Sequence, residues 1–184
     1  GLLIAKTGIP AFIATLGTYV SVRGLALLYS DGRPVSTLTS SYQFIGQGYV
    51  FGIPVPVILF LALAFLSWVI LNHTKFGKNI YAIGGNIVAA EVSGVNVQRN
   101  LVAIYMYAGM LAGVAGLIHS ERLNTGQPGM GVAYELDAIA ATTNGGTSHA
   151  GGIGTIQGAV VGARILGVLN NGLNLLCPLY TYDV

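Results

Sequence analysis

Charged residues are scarce in this sequence. Lys, Arg, Asp and Glu together make up 8% of the chain, whereas a water-facing domain usually carries about 25%. Hydrophobic residues make up 53%, and the mean hydropathy is +0.70. This composition excludes a water-soluble globule and predicts a surface that faces lipid. The 8 basic residues are also too few for the dense basic patch that binds nucleic acid.

Cysteine and histidine are rare as well. Cys177 is the single cysteine, so it cannot form a disulfide within the chain, and we interpret it as a small apolar residue near a helix end. The histidines, His73, His119 and His149, are scattered and lack the spacing of a zinc site. The sequence therefore predicts no metal site and no cofactor.

Two common enzyme signatures are missing. A phosphate-binding loop needs glycine five residues before the Gly77-Lys78 pair and Ser or Thr after it, but Asn72 and Asn79 occupy those positions. A nucleophile elbow around Ser148 would need glycine where Ala150 stands. The sequence predicts neither an ATP site nor a catalytic residue.

Long apolar runs are abundant. A helix needs about 20 apolar residues to cross a bilayer, and four runs approach or exceed this length, at 10–30, 55–71, 101–120 and 154–176. The run at 135–147 is shorter and leads into glycine-rich sequence, which is tolerated at membrane depth only where protein or a wet cavity surrounds it. We predict an all-α polytopic membrane protein: a multi-span helical bundle with a short, broken intramembrane helix, forming one transmembrane domain over 1–184.

A polar interval at 73–99 separates the second and third spans. It holds Lys75, Lys78 and Arg99, and basic loops favour the cytoplasmic side. The intervals 31–53 and 121–134, with one arginine each, are then expected on the outer side.

A small helix is predicted inside the polar interval, in "NIVAAEVSG". Gly94 suits the left-handed position that ends a helix. A short helix at the membrane face is well shaped to dock on a partner. The alternative is an idle solvated loop.

Small residues recur at helical spacing in two of the spans. Such spacing lets neighbouring helix backbones approach closely in a membrane. We predict helix packing at Gly109, Gly113 and Gly116 in the third span and at Gly154, Gly158 and Gly162 in the fourth.

Several polar side chains lie at predicted membrane depth, where charged groups usually face a bundle interior or a water-filled path. Glu135 and Asp137 either pair with Arg23 or Arg164 or contact a substrate. The asparagine amides, which both donate and accept hydrogen bonds, either join helices or line a substrate pathway. The candidates for that pathway are Asn144, Asn170, Asn171 and Asn174.

Three stretches resemble a known family. "KFGKNIYAIGGNIVAAEVSGVNV", "YELDAIAATTNGGTSHAGGIGTIQGAVVGARILGVLNNGLNLL" and "IPAFIATLGTYVSVRGLALLYSDGRPV" closely resemble the permease subunits of bacterial ABC importers for ribose, galactose and xylose. The resemblance implies a transport permease of the inner membrane that moves a monosaccharide by alternating access. It also implies partners: cytoplasmic ATPase subunits, a second permease subunit in a homodimer, and a periplasmic sugar-binding protein. Since the family is typically longer, we expect this sequence to be a fragment.

By this resemblance, the segment 84–97 corresponds to the family's coupling element, a cytoplasmic helix that seats in a groove of the ATPase. Ile87 replaces the proline of the usual pattern, Val88 replaces its glutamate, and Glu91 supplies an acid three residues later. Arg164 also departs from the apolar residue expected at its position. The matching residues are Gly84, Gly85, Asn86, Ala89, Ala90, Ser93, Gly94, Asn96 and Val97.

Two alternatives belong to other functional classes. One is a membrane-embedded enzyme that uses Glu135 and Asp137 as acid and base, which predicts turnover by the purified chain without any ATPase. The other is a passive channel or scaffold, which predicts solute flux that does not depend on ATP.

Overall fold

The computed structural model describes residues 1–36 and 46–176 of the chain. Cys177 lies outside these residues. Within the described residues lie four two-residue strands: β1 (Val35–Ser36), β2 (Tyr49–Val50), β3 (Ile53–Pro54) and β4 (Thr125–Gly126). The helices dominate, and they are α1 (Leu2–Thr7), α2 (Ala11–Ser30), α3 (Val55–His73), α4 (Lys75–Gly85), α5 (Ile87–Val92), α6 (Val97–Arg122), α7 (Tyr134–Asn144) and α8 (Ile156–Leu176).

In the part of the chain that the structure describes, three helices are long and apolar enough to cross a membrane: α2, α3 and α6. They coincide with the spans predicted at 10–30, 55–71 and 101–120, with α6 extended at both ends. Their apolar side chains point outward: 6% of the most apolar stretch is buried in α2 and in α3, and 0% in α6. Outward-facing apolar helices are what a lipid environment requires. The chain is an all-α polytopic membrane protein.

The fourth predicted span, 154–176, forms helix α8 two residues later than expected. Its 21 residues would reach about 32 Å. It is nevertheless not one of the three helices that qualify by length and composition, because Arg164, Asn170 and Asn171 lower its hydropathy. Its crossing of the membrane stays a prediction.

Helix α7 is the short helix expected at 135–147. With 11 residues it is about 16 Å long, roughly half of a 30 Å hydrocarbon core. Glu135 and Asp137 lie exposed in its first turn, where carboxylates stabilise the positive end of a helix. After the helix ends, Gly146 takes a left-handed conformation with φ +84°. Whether this helix lies within the membrane stays a prediction.

The described residues divide into two compact units, whereas the sequence predicts one domain over 1–184. The first comprises the described parts of Gly1–Phe65 and Val88–Gly131, and the second comprises Leu66–Ile87 and the described part of Val132–Val184. Among the described residues, the buried apolar side chains are those of Ile83, Ala90 and Ala141. These three are too few to form a hydrophobic core.

The loops at one end of the spans meet inside the first unit. Strand β1 pairs antiparallel with β4, so Val35 faces Gly126 and Ser36 faces Thr125. Strands β2 and β3 form a hairpin that leads directly into α3. The sequence predicts that the intervals 31–53 and 121–134 lie on the same side of the membrane, and their pairing agrees with this. Which side they occupy stays a prediction.

Candidate functional site

The polar interval starts with a tight junction at Thr74, the single residue between α3 and α4. The Thr74 hydroxyl donates to the Ile70 carbonyl at 2.6 Å and accepts from the Gly77 N–H at 3.2 Å. It thus completes the last turn of one helix and caps the first turn of the next. A Cβ on Gly77 would overlap the Leu71 carbonyl, so α4 leaves α3 in a fixed direction.

A second single-residue junction, at Asn86, separates α4 from α5. Asn86 is extended, with φ −157° and ψ 110°, and its N–H donates to the Ala82 carbonyl at 3.0 Å. The sequence predicts one small helix within the loop at 73–99; α5 matches that helix, and α4 is an additional helix before it. Each junction consists of a single residue, Thr74 or Asn86, and most of the interval is therefore helical.

Gly94 ends α5, as the sequence predicts. It has φ +84°, its N–H donates to the Glu91 carbonyl at 2.9 Å, and the Val95 N–H donates to the Ala90 carbonyl at 3.0 Å. This pair of bonds is the Schellman motif, which favours glycine. The Asn96 side chain then caps α6 by accepting from the Arg99 N–H at 3.0 Å. The coupling candidate is a short helix with a defined C-terminal end.

The surface of α5 is mostly apolar. Ile87, Val88 and Val92 are 53%, 69% and 86% exposed. Ala90 is 4% exposed, so this predicted docking residue is enclosed by the chain itself. The other predicted coupling residues on the exposed surface are Gly85, Asn86, Ala89, Glu91, Ser93 and Gly94. Their contact with an ATPase stays a prediction.

Gly84, at the C-terminal end of α4, faces inward. A Cβ placed on it would lie 2.7 Å from the Gly152 amide nitrogen, and a Cβ on Gly152 would lie 2.8 Å from the Gly85 Cα. One turn earlier, the Tyr81 hydroxyl donates to the Gly154 carbonyl at 2.8 Å. A cavity of about 350 Å³ lies between these attachments, lined by Ile80 and Tyr81 together with Thr147, Ser148, Gly151 and Ile153 among others.

Helices α7 and α8 pack through glycine. A Cβ on Gly145 would overlap the Gly158 carbonyl, and one on Gly162 would overlap the Ala141 carbonyl. A Cβ on Gly154 would lie 3.0 Å from Cγ2 of the Thr147 side chain. The other predicted set behaves differently. A Cβ at Gly109, Gly113 or Gly116 would meet nothing within 4 Å.

The predicted pathway residues do not form one cluster. Asn144 is exposed at the end of α7, beside the start of α8, since Gly145 contacts Gly158. Asn170 and Asn171 are exposed on α8, and Asn170 lies about 18 Å further along that helix. Asn174 is also on α8. The prediction grouped these residues by residue type and did not include this separation, which follows from the antiparallel packing of α7 and α8.

Comparison with known proteins decides the family. A family profile described as "Branched-chain amino acid transport system / permease component" matches residues 1–182. The chain belongs to this permease family. The permease chain is 51% identical to the ribose import permease protein of Bacillus subtilis over 178 residues, which is 96% of the chain and 55% of that relative. No solved structure matches it.

Two further relatives carry similar names. The ribose import permease protein of Haemophilus influenzae is 47% identical over 96% of the permease chain and 56% of the relative. The L-arabinose transport system permease protein of Escherichia coli is 43% identical over 96% of the chain and 54% of the relative. The chain spans about half the length of these relatives. The resemblance to monosaccharide importer permeases is confirmed, and the relatives are named as permeases rather than enzymes.

The permease chain also carries a buried carboxyl group that the sequence analysis did not single out. Glu121, at the end of α6, is 0% exposed, and neither carboxylate oxygen has a hydrogen-bond partner among the described residues. Gly46 lies against its Cβ, and the Gln47 side chain donates to its backbone carbonyl at 3.2 Å. The sequence feature that could have identified Glu121 is an acidic residue directly after an apolar run. The burial of Glu121 depends on residues 46–47. The sequence around Glu121 gives no sign of this contact.

Proposed function

We propose that this chain forms part of the membrane-spanning subunit of an ATP-driven importer. The transporter moves a monosaccharide of the ribose, galactose or xylose type across the bacterial inner membrane by alternating access. The observation that carries the proposal is the 51% identity to a ribose import permease over 96% of the chain. The construction of the polar interval as capped helices supports it.

The chain acts as a transport permease, and ATP is hydrolysed on separate cytoplasmic ATPase subunits. Helix α5 seats in the ATPase through Ile87, Val88 and Val92, which are exposed. Large apolar side chains on an otherwise water-facing helix mark a protein contact. Gly94 caps α5 and Thr74 caps α4, so each of these helices has a defined end on which displacement of the ATPase can act.

The membrane arrangement follows the charge distribution. Lys75 and Lys78 are exposed on α4, which we place at the cytoplasmic face with Arg99. Helices α2, α3, α6 and α8 cross the bilayer, α7 is the short intramembrane helix, and the whole forms one transmembrane domain in the assembly. A second copy of the subunit completes the path, and a periplasmic sugar-binding protein delivers the ligand to the opposite face.

The sugar path uses polar side chains at two separate levels. Asn144 lies at one level, and Asn170, Asn171 and Asn174 lie about 18 to 24 Å away along α8. Amides at both levels offer donors and acceptors that suit sugar hydroxyls. The amides at each level bind the sugar weakly, since tight binding would slow its release.

Reconstitution tests the function. The full-length protein is placed in liposomes with its ATPase and binding protein, and uptake of radiolabelled ribose is measured with and without ATP. We expect uptake only with ATP, and competition by galactose, xylose or arabinose identifies the sugar. Flux without ATP would show a channel, and turnover of a solute without any ATPase would show an enzyme.

The family description adds a second substrate class to this assay, because it names branched-chain amino acids. Unlabelled leucine therefore serves as a further competitor. Sugar import predicts no effect of leucine on ribose uptake. ATP-driven leucine uptake in place of ribose uptake would replace the monosaccharide proposal.

Cross-linking tests the docking face and the orientation together. In a cysteine-free background of the full-length protein, Val88→Cys should cross-link to the ATPase and resist labelling from outside the cell. Val132→Cys is a matched control, since Val132 is also a partly exposed valine but lies in an interval predicted to face outward. External labelling of Val88→Cys would overturn the proposed orientation.

A further inference from the structure

The contact between α4 and the turn before α8 joins backbone to backbone. A Cβ on Gly84 would lie 2.7 Å from the Gly152 nitrogen and 3.3 Å from its Cα, and a Cβ on Gly151 would overlap the Gly84 carbonyl. No side chain fits between the two segments. A contact of this kind has no flexible group to absorb a displacement, because packed protein interiors deform little.

The turn on the far side of this contact is closed by its own hydrogen bonds. The Ser148 N–H donates to the Ile153 carbonyl at 2.9 Å, and the Gly151 N–H donates to the Ser148 carbonyl at 3.2 Å. The Ala150 N–H donates to the Ser148 hydroxyl at 3.2 Å. Gly151 and Gly152 have φ +90° and +75°, a conformation that glycine adopts without strain. The turn therefore behaves as one compact piece.

A second attachment holds the same turn to the same face of α4. Tyr81 and Gly84 are three residues apart and so lie on one side of the helix. The Tyr81 hydroxyl donates to the Gly154 carbonyl, 73 residues away in sequence, at 2.8 Å. Two attachments prevent the turn from rotating about a single contact. The turn and α4 are thus linked in both position and orientation.

The turn continues into the α7–α8 hairpin without a flexible segment. The Thr155 hydroxyl accepts from the Gly158 N–H at 3.1 Å and so caps α8. Gly145 and Gly158 then hold α7 against α8, and Gly162 lies against Ala141. A continuous series of close contacts runs from α4 to both helices of the hairpin.

We propose that Gly84, Gly151 and Gly152 form a mechanical joint that carries displacement of the coupling element into the α7–α8 hairpin. Gly84 is then a positioning residue that acts within the permease, whereas the family resemblance assigns it to the ATPase contact. The inference rests on the proposed function, since it presumes that an ATPase moves α5 and, through Asn86, α4. The inference adds the specific contact through which that movement reaches α7 and α8, the helices beside Asn144.

The test uses the full-length transporter with its ATPase and binding protein in liposomes. Gly84→Ala places a methyl group against the Gly152 backbone, and Tyr81→Phe removes the second attachment but keeps the ring. Gly167→Ala is the matched control, since it makes the same change in a helix where a Cβ meets nothing within 4 Å. The readouts are co-purification with the ATPase, ATP hydrolysis, and sugar transported per ATP hydrolysed.

We expect Gly84→Ala to bind the ATPase and hydrolyse ATP while sugar transported per ATP falls about tenfold. Tyr81→Phe should reduce the same ratio about threefold, and Gly167→Ala should leave it unchanged. Tyr81→Phe keeps the test decisive if Gly84→Ala does not fold, because it adds no atom to the contact.

Other outcomes distinguish failure of the proposed joint from failure of the proposed function. Loss of ATPase binding in Gly84→Ala would make Gly84 a docking residue and overturn the joint, while leaving the importer proposal intact. An unchanged ratio in Tyr81→Phe and in any folded Gly84→Ala protein would also overturn it. Absence of ATP-driven uptake in the unaltered transporter would instead refute the proposed function on which the joint rests.

Discussion

Two glycine-rich regions of this chain have similar spacing and opposite surroundings. In α6, an added Cβ at Gly109, Gly113 or Gly116 would meet nothing within 4 Å, whereas in α8 one at Gly158 or Gly162 would overlap the backbone of α7. Spacing alone therefore indicates that a helix can be approached closely and does not identify the neighbour. The glycines of α8 are used within the chain. Those of α6 have open space beside them among the described residues.

A third group of glycines is needed for conformation alone. Gly94 has φ +84°, yet a Cβ there would meet no atom within 4 Å. Replacing it would cost backbone strain without a steric overlap. The three groups predict three sizes of effect for similar substitutions, which makes the comparison testable.

The largest effect is expected at Gly162. Gly162→Val would force α8 away from the Ala141 carbonyl and destabilise the protein by about 3 kcal/mol. The measurement is thermal unfolding of the purified full-length protein in detergent. Gly167→Val on the same helix is the control, since its Cβ enters open space. Equal losses in both variants would show that valine lowers stability through the helix backbone and not through the α7 contact.

An intermediate effect is expected at Gly94. Gly94→Ala would hold alanine in the left-handed region and lower stability by about 1 kcal/mol. Gly94→Asn should retain most of the stability, because asparagine is the other residue found at this position of a helix end. The same unfolding assay measures both. A loss for Asn as large as that for Ala would argue against the conformational explanation.

The smallest effect is expected at Gly113. Gly113→Ala should stabilise this chain slightly, by about 0.5 kcal/mol, because its Cβ has open space and alanine favours a helix interior over glycine. If another helix of the assembly packs on α6, Gly113→Leu should reduce association of the complex in gel filtration while the permease subunit itself stays folded. Normal assembly of Gly113→Leu would show that these glycines face lipid.

Local features of the fold could be predicted from the sequence where length or a single residue type decides them. Apolar length decided α2, α3 and α6, and the left-handed requirement decided Gly94. The inward orientation of Gly84 could not be predicted, because it depends on the turn at Gly151 and Gly152, which is distant in sequence. The family pattern grouped Gly84 with Gly85 as docking residues, yet adjacent residues on a helix face different directions.

Polar residues were the least predictable. Asn144 and Asn170 were grouped by residue type, and the antiparallel packing of α7 and α8 then placed them at separate levels. Glu121 was passed over because its sequence neighbours place it at a loop boundary, where carboxylates are usually hydrated. The Gly46 backbone encloses it, and that contact comes from a segment far away in the sequence.

The Thr74 junction fixes more than the local geometry. A single residue connects α3 to α4, and its hydroxyl bonds to both helices. One inserted residue here would rotate α4 about its own axis by roughly 100° and turn Tyr81 and Gly84 away from their contacts. Residues along α4 can therefore be substituted more easily than residues can be inserted or deleted at this connection.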